Sequence, residues 1–94
     1  MLFETEIYIE MEVIMLIEIF GTGCPKCKKT YQVVAEQVEK LGIKAEINRI
    51  GDATDIAAKG ITTTPAVKMN RKIKIEGKVP NQEQVAEWLK QETL

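Results

Sequence analysis

Cys24 and Cys27 are the only cysteines of the chain, and they stand two residues apart in Gly21-Thr22-Gly23-Cys24-Pro25-Lys26-Cys27. Two thiols at this spacing can close into one small disulfide ring, so the pair can take up or release two electrons by making or breaking a single bond. The attacking species in such exchange is the thiolate. Pro25 suits the first position of a helix. A helix starting there puts Cys24 at its N-terminus, where unpaired backbone N–H groups and aligned peptide dipoles favour thiolate over thiol. Lys26 and Lys28 add positive potential beside it. A thiol whose ordinary pKa is about 8.5 needs to fall by only a unit or so to be well ionised at neutral pH. Helical spacing sets Cys27 one turn below Cys24, the place of a thiol that resolves a mixed disulfide. Cys24 is thus the expected nucleophile, Cys27 the expected resolving thiol, and Pro25 and Lys26 their supports.

The same two sulfurs admit one other chemistry. Two thiolates can hold a soft Cu(I) ion, whereas a closed structural zinc site needs four ligands. The chain has no histidine, the commonest metal ligand and the usual catalytic base. Small copper-carrying domains with a Cys-x-x-Cys after their first strand usually show Met-x-Cys-x-x-Cys, and here Thr22 stands at the methionine position. A Cu(I)- or Zn-binding carrier is therefore the alternative reading, and no other metal-ligating set is expected.

The elements that must position these thiols can be read from periodicity. Met15–Phe20 is nearly continuously apolar, as in a central strand covered on both faces. From Pro25 onward Cys27, Tyr31, Val34, Val38 and Leu41 recur at helical spacing, which predicts that Cys27 faces inward, and Gly42 is a stop signal. Residues 43–49 alternate as a second strand. Asp52 followed by Asp55 resembles a helix start, and Gly60 ends a short second helix. After Thr62-Thr63-Thr64-Pro65, Ala66–Met69 and Lys72–Glu76 read as two strands joined by a tight Asn70-Arg71 turn. Asn81 with Gln84 forms a capping box for a last helix whose apolar side is Val85, Trp88 and Leu89. The order is β-α-β-α-β-β-α. Its first two β–α–β steps imply parallel strands, and the hairpin adds an antiparallel pair.

Residues 1–14 differ in character. Ile7, Ile9, Met11 and Val13 alternate with Glu6, Tyr8, Glu10 and Glu12, which is strand periodicity running into the next strand without a turn signal. Residues 1–15 carry four glutamates and no base, while the rest of the chain has ten acids against thirteen bases. Three readings stay open: a bend separating two strands, a strand pairing with a second chain as a homodimer contact, or a non-native start ahead of Met15. The division expected is thus an extension, 1–14, and one domain, 15–94. A net charge of −1 implies no general affinity for nucleic acid or membrane. Two cysteines are too few for a secreted disulfide framework, the first residues do not look like a signal peptide, and the protein is expected in the cytoplasm.

That element order, with Cys-x-x-Cys at the first strand–helix junction and Thr64-Pro65 before the third strand, resembles the thioredoxin fold. More narrowly, it is similar to the small thioredoxin/glutaredoxin-like redox-active disulfide proteins. The resemblance covers residues 15–94 and implies an α/β domain with a four-stranded mixed central sheet, to which residues 1–14 add a strand-like extension. It implies a thiol–disulfide oxidoreductase acting on disulfides of proteins or small molecules. Its electrons would come from a dithiol donor, by analogy a flavin-dependent reductase, and it would need no cofactor beyond its own disulfide. It also implies that Pro65 is cis and faces the cysteines, with the Thr64 backbone offering an N–H and a C=O to an extended substrate. Glu18, six residues before Cys24, falls where thioredoxins carry a buried acid. There it either takes the Cys27 proton during resolution or lies solvated on a partly exposed strand face. The sequence departs from thioredoxins in having Gly23 before Cys24 and proline first in the dipeptide. Cys-Pro-x-Cys and Thr63-Thr64-Pro65-Ala66-Val67 are closer to glutaredoxins, but the Gly-Gly turn that helps glutaredoxins hold glutathione is absent, with only Gly77 nearby.

Overall fold

The structure, a computed structural model, describes residues 15–93. The expectations for residues 1–14 (the extra strand, the dimer contact and the non-native start) lie outside the described residues.

The elements are β1 (Met15–Phe20), α1 (Pro25–Leu41), β2 (Ala45–Ile50), α2 (Ala53–Ala58), β3 (Ala66–Met69), β4 (Lys72–Glu76) and α3 (Gln82–Thr93). They build an α/β domain around a mixed four-stranded sheet of order β2-β1-β3-β4. Strand β1 is central because, Glu18 apart, its side chains are apolar toward both faces. Met15, Ile17 and Ile19 join Val33, Val34, Val67, Met69, Val85 and Leu89 in the core beneath α1 and α3. Phe20, on the other pleat, joins Ile56, Ile61 and Ala66 beneath α2. Burying a side chain such as Phe20, Ile17, Met69 or Leu89 completely contributes about 1.5–3 kcal/mol each relative to exposure.

β1 pairs with β2 in parallel, Met15 opposite Ala45 through Phe20 opposite Ile50. β3 pairs antiparallel with β1, Phe20 opposite Ala66 and Ile17 opposite Met69. This corrects the expectation that both β–α–β steps yield parallel strands. Only the first does. Helix α2 has six residues, about 9 Å of length. That is too short to carry the chain to the far end of the sheet. Residues 59–65 return it to the end it left, so β3 runs downward. The β3–β4 hairpin turns through Asn70 and Arg71, at φ 51° and 70°, the two left-handed residues that a two-residue hairpin turn needs.

Helix α1 differs in its buried face. Cys27, Thr30, Val33, Val34 and Gln37 are buried, while Leu41 is 39% exposed and Tyr31 and Val38 pack at the margin of the core. The stripe is rotated from the one expected because α1 must rest on β1 and α3 together. Thr30 is tolerated inside because its hydroxyl donates to Lys26 O at 2.9 Å. The capping box of α3 is reciprocal: Gln84 N–H donates to Asn81 Oδ1 at 2.7 Å, and Asn81 N–H donates to Gln84 Oε1 at 3.0 Å. Val85 and Leu89 are fully buried, and Trp88 is half-buried against the same core.

Candidate active site

The site grows from the upper end of β1. The N–H of Gly21 donates to Ile50 O at 3.0 Å and extends the β1–β2 ladder by one residue. Two residues on, Gly23 turns the chain at φ +96°, a conformation that side chains rarely adopt. Cys24 follows in an extended conformation, φ −70° and ψ 166°, as the N-cap of α1, and its Sγ accepts from the N–H of Cys27 at 3.4 Å. A sulfur thus occupies the capping position that a serine or aspartate oxygen usually fills. Pro25 opens the helix, whose first turn contains no acidic residue. Lys26, Lys28 and Lys29 are exposed around it.

Cys27 Sγ lies 2.7 Å from Cys24 Sγ. Cys24 is half-buried and Cys27 is buried, and both are free thiols. The Cys24 pKa is held below its ordinary value. The main cause is the hydrogen bond with the Cys27 side chain, followed by the Cys27 backbone N–H; partial desolvation opposes them, and the Lys26 backbone N–H assists. The two thiols are therefore unequal by construction. The leading one is accessible and favours ionisation. The second is covered and hydrogen-bonded to the first.

Thr64-Pro65 comes to the same end of the sheet. Ala66, the next residue, pairs with Phe20, so the turn before β3 and the loop after β1 rise side by side from adjacent strands. The Thr64–Pro65 peptide is cis, and Pro65 O accepts from the Gly77 N–H at 2.8 Å. Pro65 is fully buried, while Thr64 is partly exposed.

Glu18 is buried, 6% exposed, rather than solvated. It projects from the pleat of β1 shared with Phe20, on the α2 side. Its partner is Lys59, whose Nζ donates to Glu18 Oε2 at 3.0 Å. Lys59 is steadied in turn where Lys68 Nζ donates to its carbonyl at 2.8 Å. Lys59 was not foreseen from sequence. It lies 41 residues from Glu18, and no local pattern couples the end of one short helix to the middle of a strand. A shallow groove lined by Glu36, Gln37, Glu39, Lys40 and Gln82 lies at the other end of α1, away from the thiols. Among the described residues no group of three or more His, Cys, Asp or Glu side chains converges as a metal site, and no helix is long and apolar enough to cross a membrane.

Sheet order, helix-capping cysteine and covered second cysteine together define a redox protein of the thioredoxin fold. Comparison with known proteins agrees. A family model described as a thioredoxin domain matches residues 15–90. A thioredoxin of Methanocaldococcus jannaschii is 46% identical over 80 residues, spanning 85% of this chain and 92% of that protein. A thioredoxin of Methanothermobacter thermautotrophicus is 35% identical over 75 residues, spanning 80% of this chain and 97% of that one. A solved structure titled as that of a malarial protein shares the fold alone, with a TM-score of 0.65 at 8% identity over 85% of this chain and 98% of that one. The chain belongs to the thioredoxin family and is a thiol–disulfide oxidoreductase.

Proposed function

We propose that Cys24 attacks and Cys27 resolves. The Cys24 thiolate displaces one sulfur of a substrate disulfide and forms a mixed disulfide. Cys27, as thiolate, then attacks Cys24 Sγ, the substrate's second sulfur leaves as a thiolate, and the Cys24–Cys27 disulfide remains. Two electrons pass from the protein dithiol to the substrate. The observation that carries this reading is the inequality of the pair: an accessible helix-capping sulfur with a lowered pKa, and a buried sulfur 2.7 Å from it.

In this reading Pro25 and Lys26 set the start of the helix, and the Thr64 backbone at the cis-proline turn pairs with an extended substrate segment. Glu18, the buried acid of β1, is assigned to accept the Cys27 proton, with Lys59 holding its carboxylate. The sulfurs are themselves the redox group, so the exchange needs no further cofactor. Substrates are disulfides of proteins or small molecules, and a dithiol donor, by analogy a flavin-dependent reductase, restores the reduced form.

Trapping tests the assignment. Incubated with insulin, the Cys27→Ser variant should accumulate a mixed disulfide through Cys24, and Cys24→Ser should not. Equal trapping by both variants would reverse or abolish the assigned roles. Stoichiometric Cu(I) retained by a protein that exchanges no disulfide would favour the metal-carrier reading instead.

A further inference from the structure

Gly21 is not in the left-handed region, so its backbone does not call for glycine. Space does. A Cβ built on Gly21 would fall 2.7 Å from Cys27 Cβ and would overlap Cys27 Sγ. The Cys27 side chain thus occupies the volume that a side chain at position 21 would fill. Gly21 cannot readily withdraw, because its N–H is fixed to Ile50 O at 3.0 Å. Its carbonyl faces the second bare position of the rim, Gly51, where a Cβ would lie 3.2 Å from Gly21 O.

We infer that Gly21 is a positioning residue for the resolving thiol: its missing side chain is the seat in which Cys27 Sγ rests, held 2.7 Å from Cys24 Sγ. This rests on the dithiol reading above and deepens it. Rotation of the Cys27 side chain can swing Sγ out of the way, but Cβ does not move with that rotation. A methyl group at position 21 therefore displaces both the sulfur and the first turn of α1. Resolution requires Cys27 Sγ to attack Cys24 Sγ as the bond from Cys24 to the substrate sulfur breaks. The Cys24–Cys27 bond forms, the substrate sulfur leaves as a thiolate, and the Cys27 proton is given up. A misplacement of about 1 Å costs such a step roughly 10²-fold. Attack by Cys24, which faces solvent, does not use the seat. The lowered pKa of Cys24 does depend on it, because its main support is the Cys27 side chain.

The aromatic disulfide 5,5′-dithiobis(2-nitrobenzoate) reads the two steps separately, since Cys24 attack releases one coloured thiolate and resolution by Cys27 releases the second. Gly21→Ala should slow the second release by roughly 10²-fold with little change in the first at high pH, and should move the pH midpoint of the first release upward. Gly51→Ala, which adds a methyl to the same rim without touching Cys27, should leave the second release close to wild type. A second release in Gly21→Ala within twofold of wild type overturns the inference, as does an equal slowing in Gly51→Ala. If Gly21→Ala does not fold, the exchange Gly21→Ala with Cys27→Gly removes both overlapped atoms and should fold; failure of that pair where Cys27→Gly alone folds also overturns it. Wild-type protein that releases only one thiolate would instead sink the dithiol reading itself.

Discussion

The buried carboxylate of Glu18 and its partner Lys59 offer a prediction whose sign depends on which one is removed. Glu18 Oε2 and Lys59 Nζ are 3.0 Å apart, with side-chain exposures of 8% and 49%. At an effective dielectric of ~20 the attraction at this separation is about 5 kcal/mol. Half of Lys59 is in water, which screens the pair and offers the ammonium an alternative partner. Lys59→Met nevertheless leaves the Glu18 carboxylate inside without its counter-ion. After discounting for exposure we expect a loss of roughly 2 kcal/mol, or about 10 °C in Tm for a domain of this size. Glu18→Leu removes the covered partner, frees Lys59 to hydrate fully, and gives β1 another apolar residue. Its cost should be under ~1 kcal/mol or negative, as when buried ion pairs are replaced by hydrophobic side chains. The double variant should recover most of the Lys59→Met loss. Urea unfolding of the four proteins, followed by Trp88 fluorescence and far-ultraviolet dichroism, measures all three differences. If Lys59→Met costs no more than Glu18→Leu, the carboxylate is not held by Lys59 as described, and the reasoning fails.

Other expectations follow from the same contacts. Cys27→Ala removes the main support of the Cys24 thiolate, so the pH profile of Cys24 alkylation by iodoacetamide should move upward from the wild-type position; an unmoved profile would assign the lowering to the helix start alone. Glu92 is held below its ordinary pKa of 4.5 first by the hydrogen bond from Lys74, with Asn70 and Lys72 assisting. A depressed carboxylate contributes stability that is present above its unfolded pKa and lost as pH falls through the folded one. Lys74→Met should therefore flatten the fall of Tm with acidification below pH 4.5, and an unchanged slope would count against the Glu92 cluster. Asn81→Ala removes the 2.7 Å acceptor for the Gln84 N–H and should cost about 1 kcal/mol, a drop of roughly 4–8 °C in Tm.

Most of the scaffold was written in local signals. Pro25 and Gly42 bound α1, Asp52 caps α2 through the Thr54 N–H at 3.0 Å, and Asn81 with Gln84 starts α3 as its spacing indicates. Each of these acts within a few residues, so the chain itself displays it. The direction of β3 was not legible, because a parallel or an antiparallel return depends on whether six helical residues carry the chain across the sheet. The rotation of the α1 stripe toward Val33 and Gln37 was set by where α3 packs, which no helical periodicity encodes. At the site, Cys24 and Cys27 identified themselves by type and spacing. Lys59 and the steric role of Gly21 did not. One is a pairing across 41 residues. The other is an absence of side chain whose meaning appears only when the sulfur beside it is located.

The most direct test is a redox titration of the purified protein in glutathione buffers of graded potential, read by intact mass after acid quench and thiol labelling. A single two-electron transition should convert an unlabelled, disulfide-closed chain into one carrying two labels, in the wild type and in neither cysteine-to-serine variant. A wild-type protein that keeps two labelled thiols across the whole range, or oxidises only between chains, would contradict the account.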